Sequence, residues 1–201
     1  MGSLALIGFM GAGKSHVGML TAHRLRVPFV DTDALIVEQI GPIEAVFAQH
    51  GEAYFRGVER DVAVATLDRA RSMPSVVALG GGAVMDDHVR RALSELEHVV
   101  WLTAPVDVLL ARCGGSAGVA DGEGAARPLA CDEGVFRALY AQRRAVYEQA
   151  ATSTVDNDGV RPLDEVVAAL VALAEGAEGQ RTSRSSERSP EAGEARGTCN
   201  D

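Results

Sequence analysis

Leu4-Ala5-Leu6-Ile7-Gly8-Phe9-Met10-Gly11-Ala12-Gly13-Lys14-Ser15 decides how the rest of the chain is read. Four apolar residues run directly into G-x-x-x-x-G-K-S, the phosphate-binding P-loop pattern. The glycines let backbone N–H groups converge on phosphate oxygens, and the helix that follows adds its positive N-terminal dipole. Lys14 is the single lysine in 201 residues, against eighteen arginines. A compact ammonium fits beside a β/γ-phosphate inside a backbone nest, where a planar guanidinium fork does not. Ser15 is the hydroxyl that ligates Mg²⁺ in such loops.

Outward from this stretch, short apolar runs alternate with longer segments of helical period. Residues 4–7, 28–30, 76–79, 99–102 and 154–155 read as strands, and 15–25, 51–70, 87–96, 106–112, 133–151 and 163–174 as helices. Continuously apolar strands separated by helices imply an α/β fold with a parallel sheet covered on both faces. Ligands of such sheets bind beyond the carboxyl ends of the strands. Two stretches break the pattern. Residues 114–126 form a Gly/Ala-rich loop expected to be mobile, and 175–201 have the polar composition of a disordered tail.

Composition narrows the class of function. The chain has 47% apolar but only 4% aromatic residues, so its core must be built from Val, Leu, Ala and Ile. A net charge of −9 argues against a nucleic-acid partner and for basic residues gathered in a pocket for small anions. Cys113, Cys131 and Cys199 are too few and too scattered for a disulfide framework or a zinc site, which fits a reducing cytoplasm. No run reaches the roughly 18 apolar residues of a membrane span. The apolar start lacks a basic flank and leads straight into the P-loop, unlike a signal peptide. The five histidines show no metal-ligand spacing.

Four further groups of residues carry chemistry. Asp31-Thr32-Asp33 follows the second strand; in extended chain, residues two apart face the same way, so both carboxylates can enter one site. One can hold the water shell of a metal, and the other can orient or deprotonate an attacking hydroxyl. Asp and Thr also cap helices well, and a cap with surface acids is the alternative. Leu79-Gly80-Gly81-Gly82-Ala83 follows the third strand, where glycines admit a ligand close to the backbone or make a turn. No acid ends that strand, so metal duty falls to Asp31. Phe55-Arg56-x-x-Glu59 places Arg56 and Glu59 on one helical face. There the carboxylate would fix a guanidinium fork for a substrate carboxylate, although taken alone a surface ion pair is the simpler reading. Arg127-Pro128-Leu129 closes the glycine-rich loop, where a basic residue can meet the charge of a transferring phosphoryl group. Arg143 lies on the next helix.

Gly8–Ser15, Asp31-Thr32-Asp33, Gly51-Glu52-x-x-Phe55-Arg56-x-x-Glu59, Gly80-Gly81-Gly82, Arg127-Pro128-Leu129 and Arg143-x-x-x-Tyr147 occur in that order. Together they resemble the shikimate kinase family, within the nucleoside monophosphate kinase-like P-loop enzymes, from the first strand to about Pro162. The resemblance implies a three-layer α/β/α P-loop kinase with a five-stranded parallel sheet in order 2-3-1-4-5. Residues 1–174 would form this domain, with a helical substrate-binding region at about 32–60 and a mobile lid at about 113–128. It implies ATP and Mg²⁺, shikimate as the small-molecule partner, and a cytoplasmic monomer with no nucleic-acid or membrane partner. Asp33 would orient or deprotonate the 3-hydroxyl of shikimate. Arg56, held by Glu59, and Arg143 would clamp its carboxylate, and Gly80, Gly81 and Gly82 would bind it through the backbone. Gly11, Ala12, Gly13, Lys14, Ser15 and His16 would hold the phosphates, with Ser15 directly and Asp31 through water on the metal. Lys14 and Arg127 would stabilise the γ-phosphoryl charge. Arg112 would pack on adenine, with the 156–162 loop, ending at Pro162, on the other side. The chain departs from the family in a longer lid, in His16 where Thr or Ser is common, and in its tail. A kinase for an open-chain sugar acid and a catalytically dead nucleotide-binding module are the rival readings.

Overall fold

Alternation along the first strand sets the layers. In β1 (Leu4–Ile7), Leu4 and Leu6 face one side of the sheet and Ala5 and Ile7 the other, all with at most 1% exposure. The same division holds for Val76 against Val77, and for Val100 and Leu102 against Val99 and Trp101. A sheet buried on both faces needs apolar residues at every position, which is why these strands read as unbroken apolar runs. The computed structural model describes residues 2–114 and 132–176. Within them, β1, β2 (Phe29–Asp31), β3 (Val76–Ala78), β4 (His98–Thr103) and β5 (Ser153–Asp156) form one five-stranded sheet in order β2-β3-β1-β4-β5. Every pairing is parallel, as the resemblance implies.

Helices cover both faces. On one, α1 (Lys14–Leu25) and α7 (Leu163–Ala174) bury Val17, Ala22, Val166, Val167 and Leu170 against Leu4, Leu6, Val76, Val100 and Leu102. On the other, α3 (Ile43–Ser72), α4 (Asp87–Ser94), α5 (Val106–Gly114) and α6 (Glu133–Ala150) contribute Leu67, Val89, Leu93, Leu109, Phe136 and Tyr147. Each fully buried Leu, Val or Phe stabilises the fold by about 1.5–3 kcal/mol. A smaller cluster, Ile36, Val46, Phe55 and Val62, ties α2 (Thr32–Ile40) to α3 at the edge of the domain.

The region between β2 and the middle of α3 differs most from the periodicity. Residues 32–40 and 43–50 are helical, as the resemblance implies and the apolar pattern does not. α3 is two helices meeting at Gly51, whose φ of 79° and ψ of 171° break the regular backbone. The position assigned from the pattern as a helix start is therefore a kink. The closing-loop expectations, including Arg127-Pro128-Leu129, and the tail beyond Gly176 lie outside the described residues.

Candidate active site

β1 delivers the P-loop to the carboxyl end of the sheet. Gly8, at φ 148°, passes so close to β4 that a Cβ would lie 2.3 Å from the Leu102 carbonyl oxygen. Only glycine fits that crossing. The loop then winds into α1, with Gly13 in the left-handed region as its N-cap. Lys14 reaches back across the loop, its Nζ donating to the carbonyls of Gly8 at 2.9 Å and Phe9 at 3.3 Å. Its ammonium is thus held at the mouth of the nest. Ser15 and His16 are exposed on the first turn of α1, while Ala12 is fully buried.

Asp31 and Asp33 do not meet as two residues of one strand. Thr32 already begins α2, and Asp31 is its N-cap, with Oδ1 accepting from the backbone N–H of Asp33 at 2.9 Å and of Ala34 at 3.3 Å. The helix starts here because the cap satisfies two of its orphan donors. The capping reading and the site reading prove compatible: the other oxygen of Asp31 accepts from the Ser15 hydroxyl at 2.5 Å. Asp33, one residue into the helix, turns towards the glycine turn after β3, where a Cβ on Gly80 would lie 2.5 Å from its Oδ1 and 2.9 Å from Glu59 Oε1.

Those short distances explain the glycines. Gly80 leaves room for two carboxylates, and its N–H donates to the buried Thr32 hydroxyl oxygen at 2.9 Å. Gly82 leaves room for Arg56, whose Nη1 would come within 2.2 Å of a Cβ there. The Gly81 carbonyl accepts from the Tyr147 hydroxyl at 2.5 Å and from Arg143 Nη1 at 3.2 Å. Among the described residues, the Gly81 and Gly82 N–H groups have no acceptor, so the turn keeps two donors for a ligand.

Arg56 and Glu59 are not a surface pair. The Glu59 side chain is only 5% exposed, and its Oε2 accepts from Arg56 Nη1 at 2.6 Å; Glu52 takes the outer edge of the same guanidinium at 3.3 Å. Burial pushes the Glu59 carboxyl above the usual range, aided by the charge of Asp33 and opposed by Arg56 and Arg143. Arg56 is itself buried enough to disfavour its charge, yet its two carboxylates outweigh that and raise it. The two shifts pull the pair in different senses. The short, charge-assisted bond favours the ionised pair at neutral pH. Arg143, 8% exposed, lies over the Phe9 ring at 5.8 Å and so links this side to the P-loop.

On the far side of the P-loop, Arg112 Nη1 donates to the carbonyls of Asn157 at 2.8 Å and Gly11 at 3.3 Å. Gly159 approaches the same guanidinium, while Pro162 is exposed at the start of α7. The sequence reading brings Arg112 and this loop together and misses three contributors: Thr32, Asn157 and the Tyr147 hydroxyl. Tyr147 stands in a quoted motif, but nothing in its spacing announces a bond to Gly81. No group of three or more His, Cys, Asp or Glu able to hold a metal occurs among the described residues.

A P-loop opposite a carboxylate and a fixed arginine, at the carboxyl ends of a 2-3-1-4-5 sheet, defines a small-molecule kinase of the P-loop class. The family model for shikimate kinase matches residues 10–175. A shikimate kinase from Salinibacter ruber is 43% identical over 178 residues, covering 83% of this chain and 81% of the relative. One from Nitrobacter winogradskyi is 40% identical, covering 78% and 70%. Among solved structures, shikimate kinase from Acinetobacter baumannii in complex with shikimate superposes with a TM-score of 0.76 at 28% identity, covering 90% of this chain and 96% of that one. The chain belongs to the shikimate kinase family.

Proposed function

We propose that the protein transfers the γ-phosphoryl group of ATP to the 3-hydroxyl of shikimate, forming shikimate 3-phosphate and ADP on the way to aromatic amino acids. The observation that carries this reading is the Arg56 guanidinium, locked against Gly82 by buried Glu59, whose other oxygen faces Asp33 across Gly80. A planar fork fixed in this way suits a carboxylate on the acceptor, and Asp33 then lies beside the hydroxyl that reacts. Asp33 accepts the hydroxyl proton as the oxygen bonds to the γ-phosphorus, and the bond from that phosphorus to the β–γ bridging oxygen breaks to release ADP. Arg143 and the N–H groups of Gly81 and Gly82, which have no acceptor among the described residues, complete the acceptor side. Lys14 meets the phosphoryl charge, and Arg127 is assigned the same task on its motif alone.

The donor set fits Mg²⁺. The Ser15 hydroxyl, which donates to the Asp31 carboxylate at 2.5 Å, and that carboxylate are hard oxygen donors, Ser15 for direct contact with the ion and Asp31 for contact through water. Mg²⁺ takes few protein ligands and completes its octahedron with water and substrate phosphates. Bound there, it would neutralise phosphate charge. The protein is read as a cytoplasmic monomer, and no helix among the described residues is long and apolar enough to cross a membrane.

Phosphorus NMR of the purified protein with ATP and either shikimate or gluconate tests the assignment. A single new phosphomonoester signal that couples to the C3 proton of shikimate is the expected product. Phosphorylation of gluconate in preference to shikimate, or at another hydroxyl, would overturn it.

A further inference from the structure

Asn157 is a polar residue, 8% exposed, that the reaction outlined above leaves without a task. It follows β5 directly, and its backbone N–H donates to the Thr103 carbonyl at 2.7 Å, so the end of the sheet fixes its backbone. Its side-chain Nδ2 donates to the buried carbonyl of Ala12 at 2.8 Å, across 145 residues of sequence. An acceptor carbonyl demands the N–H side of the amide, which settles the orientation of this side chain. Its backbone carbonyl accepts from Arg112, which also reaches the Gly11 carbonyl. Two successive carbonyls of the phosphate loop are therefore held from outside by residues of the loop next to α7 and of α5.

The consequence follows from peptide geometry. In a trans peptide the C=O and the next N–H point in opposite directions. Holding the Ala12 oxygen outwards turns the Gly13 N–H inwards, to the concave side where such nests bind phosphate oxygens. The Ala12 N–H is already used, donating to Phe9 at 3.2 Å, so the Gly13 peptide matters more than its neighbour. Contact is close: a Cβ on Gly13 would lie 2.7 Å from Asn157 Nδ2.

We infer that Asn157 is a positioning residue for the phosphates: it acts through the Ala12–Gly13 peptide and presets the phosphate loop, rather than contacting the nucleobase. This rests on the nucleotide site proposed above and assigns the loop after β5 a second role, coupling the base side of the cleft to the phosphate side.

Inorganic tripolyphosphate, which has no base, separates the two roles. Calorimetric titration of the full chain in Mg²⁺ should show Asn157→Leu weakening tripolyphosphate and ATP alike, about tenfold each, the scale of a buried acceptor losing its donor. Shikimate affinity should stay unchanged, which a general loosening of the fold would not allow. Asn157→Asp, with a carboxylate facing a carbonyl and an anionic ligand, should weaken both further. Asn157→Ser carries the same comparison if the leucine variant does not fold. A loss confined to ATP, marking a base contact, or no loss for either ligand overturns the inference. Absent shikimate turnover would count against the proposed activity and leave the tripolyphosphate comparison standing.

Discussion

The phosphate side of the cleft comes from eight consecutive residues, Gly8 to Ser15, whereas the acceptor side is assembled from four separate parts of the chain. Asp33 comes from α2, Arg56 and Glu59 from α3, Gly81 and Gly82 from the turn after β3, and Arg143 and Tyr147 from α6. One side presents backbone donors preset by glycine conformations. The other presents side chains whose positions depend on buried partners such as Glu59 and Thr32. A generic ligand, the polyphosphate, is met by a contiguous loop that Asn157 and Arg112 brace from outside, and the specific ligand by groups that only the tertiary fold gathers. Changes on the two sides should therefore separate cleanly in binding and rate.

The largest effect belongs to Asp33. Asp33→Ala should lower turnover by about 10²–10⁴, the range for a positioned general base, while ATP affinity stays nearly intact. A large loss of ATP binding in a titration would show that the two sides are not independent. Lys14→Arg tests the other side: turnover should fall by roughly 10²–10³, as when one preorganised donor to transition-state charge is lost. Shikimate affinity should hold. Near-normal turnover would make the single lysine an accident of composition.

Tyr147→Phe is the finer probe. It removes the donor to the Gly81 carbonyl while keeping the ring that stacks on Trp101 at 6.2 Å. Loss of that bond should raise KM for shikimate by about tenfold and leave KM for ATP unchanged. Equal shifts in both would assign Tyr147 to general packing. The smallest effect is in alkaline solution. Burial pushes the Tyr147 hydroxyl from its ordinary 10.0 up to about 12. Because the folded value is the higher, the stability it contributes is complete below about pH 10 and is lost as pH rises through 12. Absorbance titration at 295 nm should show that late step in the wild type and not in Tyr147→Phe.

The same contrast explains what could be read in advance. The P-loop and the covered parallel sheet follow from contiguous residues, because a nest and a buried strand are local patterns, whereas the strand order came only with the family resemblance. Asp31-Thr32-Asp33 was only half legible: Asp31 meets Ser15 and Asp33 faces Gly80, but not as alternate residues of one strand, because Asp31 caps α2 and Asp33 lies in the helix. Residues 32–50 carry too weak an apolar period to declare two helices, since their apolar face meets only the small cluster around Ile36 and Phe55. Arg56 and Glu59 looked like an ordinary surface pair because spacing says nothing of burial. Asn157 and Tyr147 were invisible as site residues, since their partners, Ala12 and Gly81, lie 145 and 66 positions away.

The most direct test of the account is a coupled measurement of ADP release by the purified full-length chain, with and without shikimate. The account predicts ADP formation that requires shikimate, saturates with it, and falls by about 10²–10⁴ in Asp33→Ala. Release at the same rate without shikimate, or none with it, would contradict the central claim.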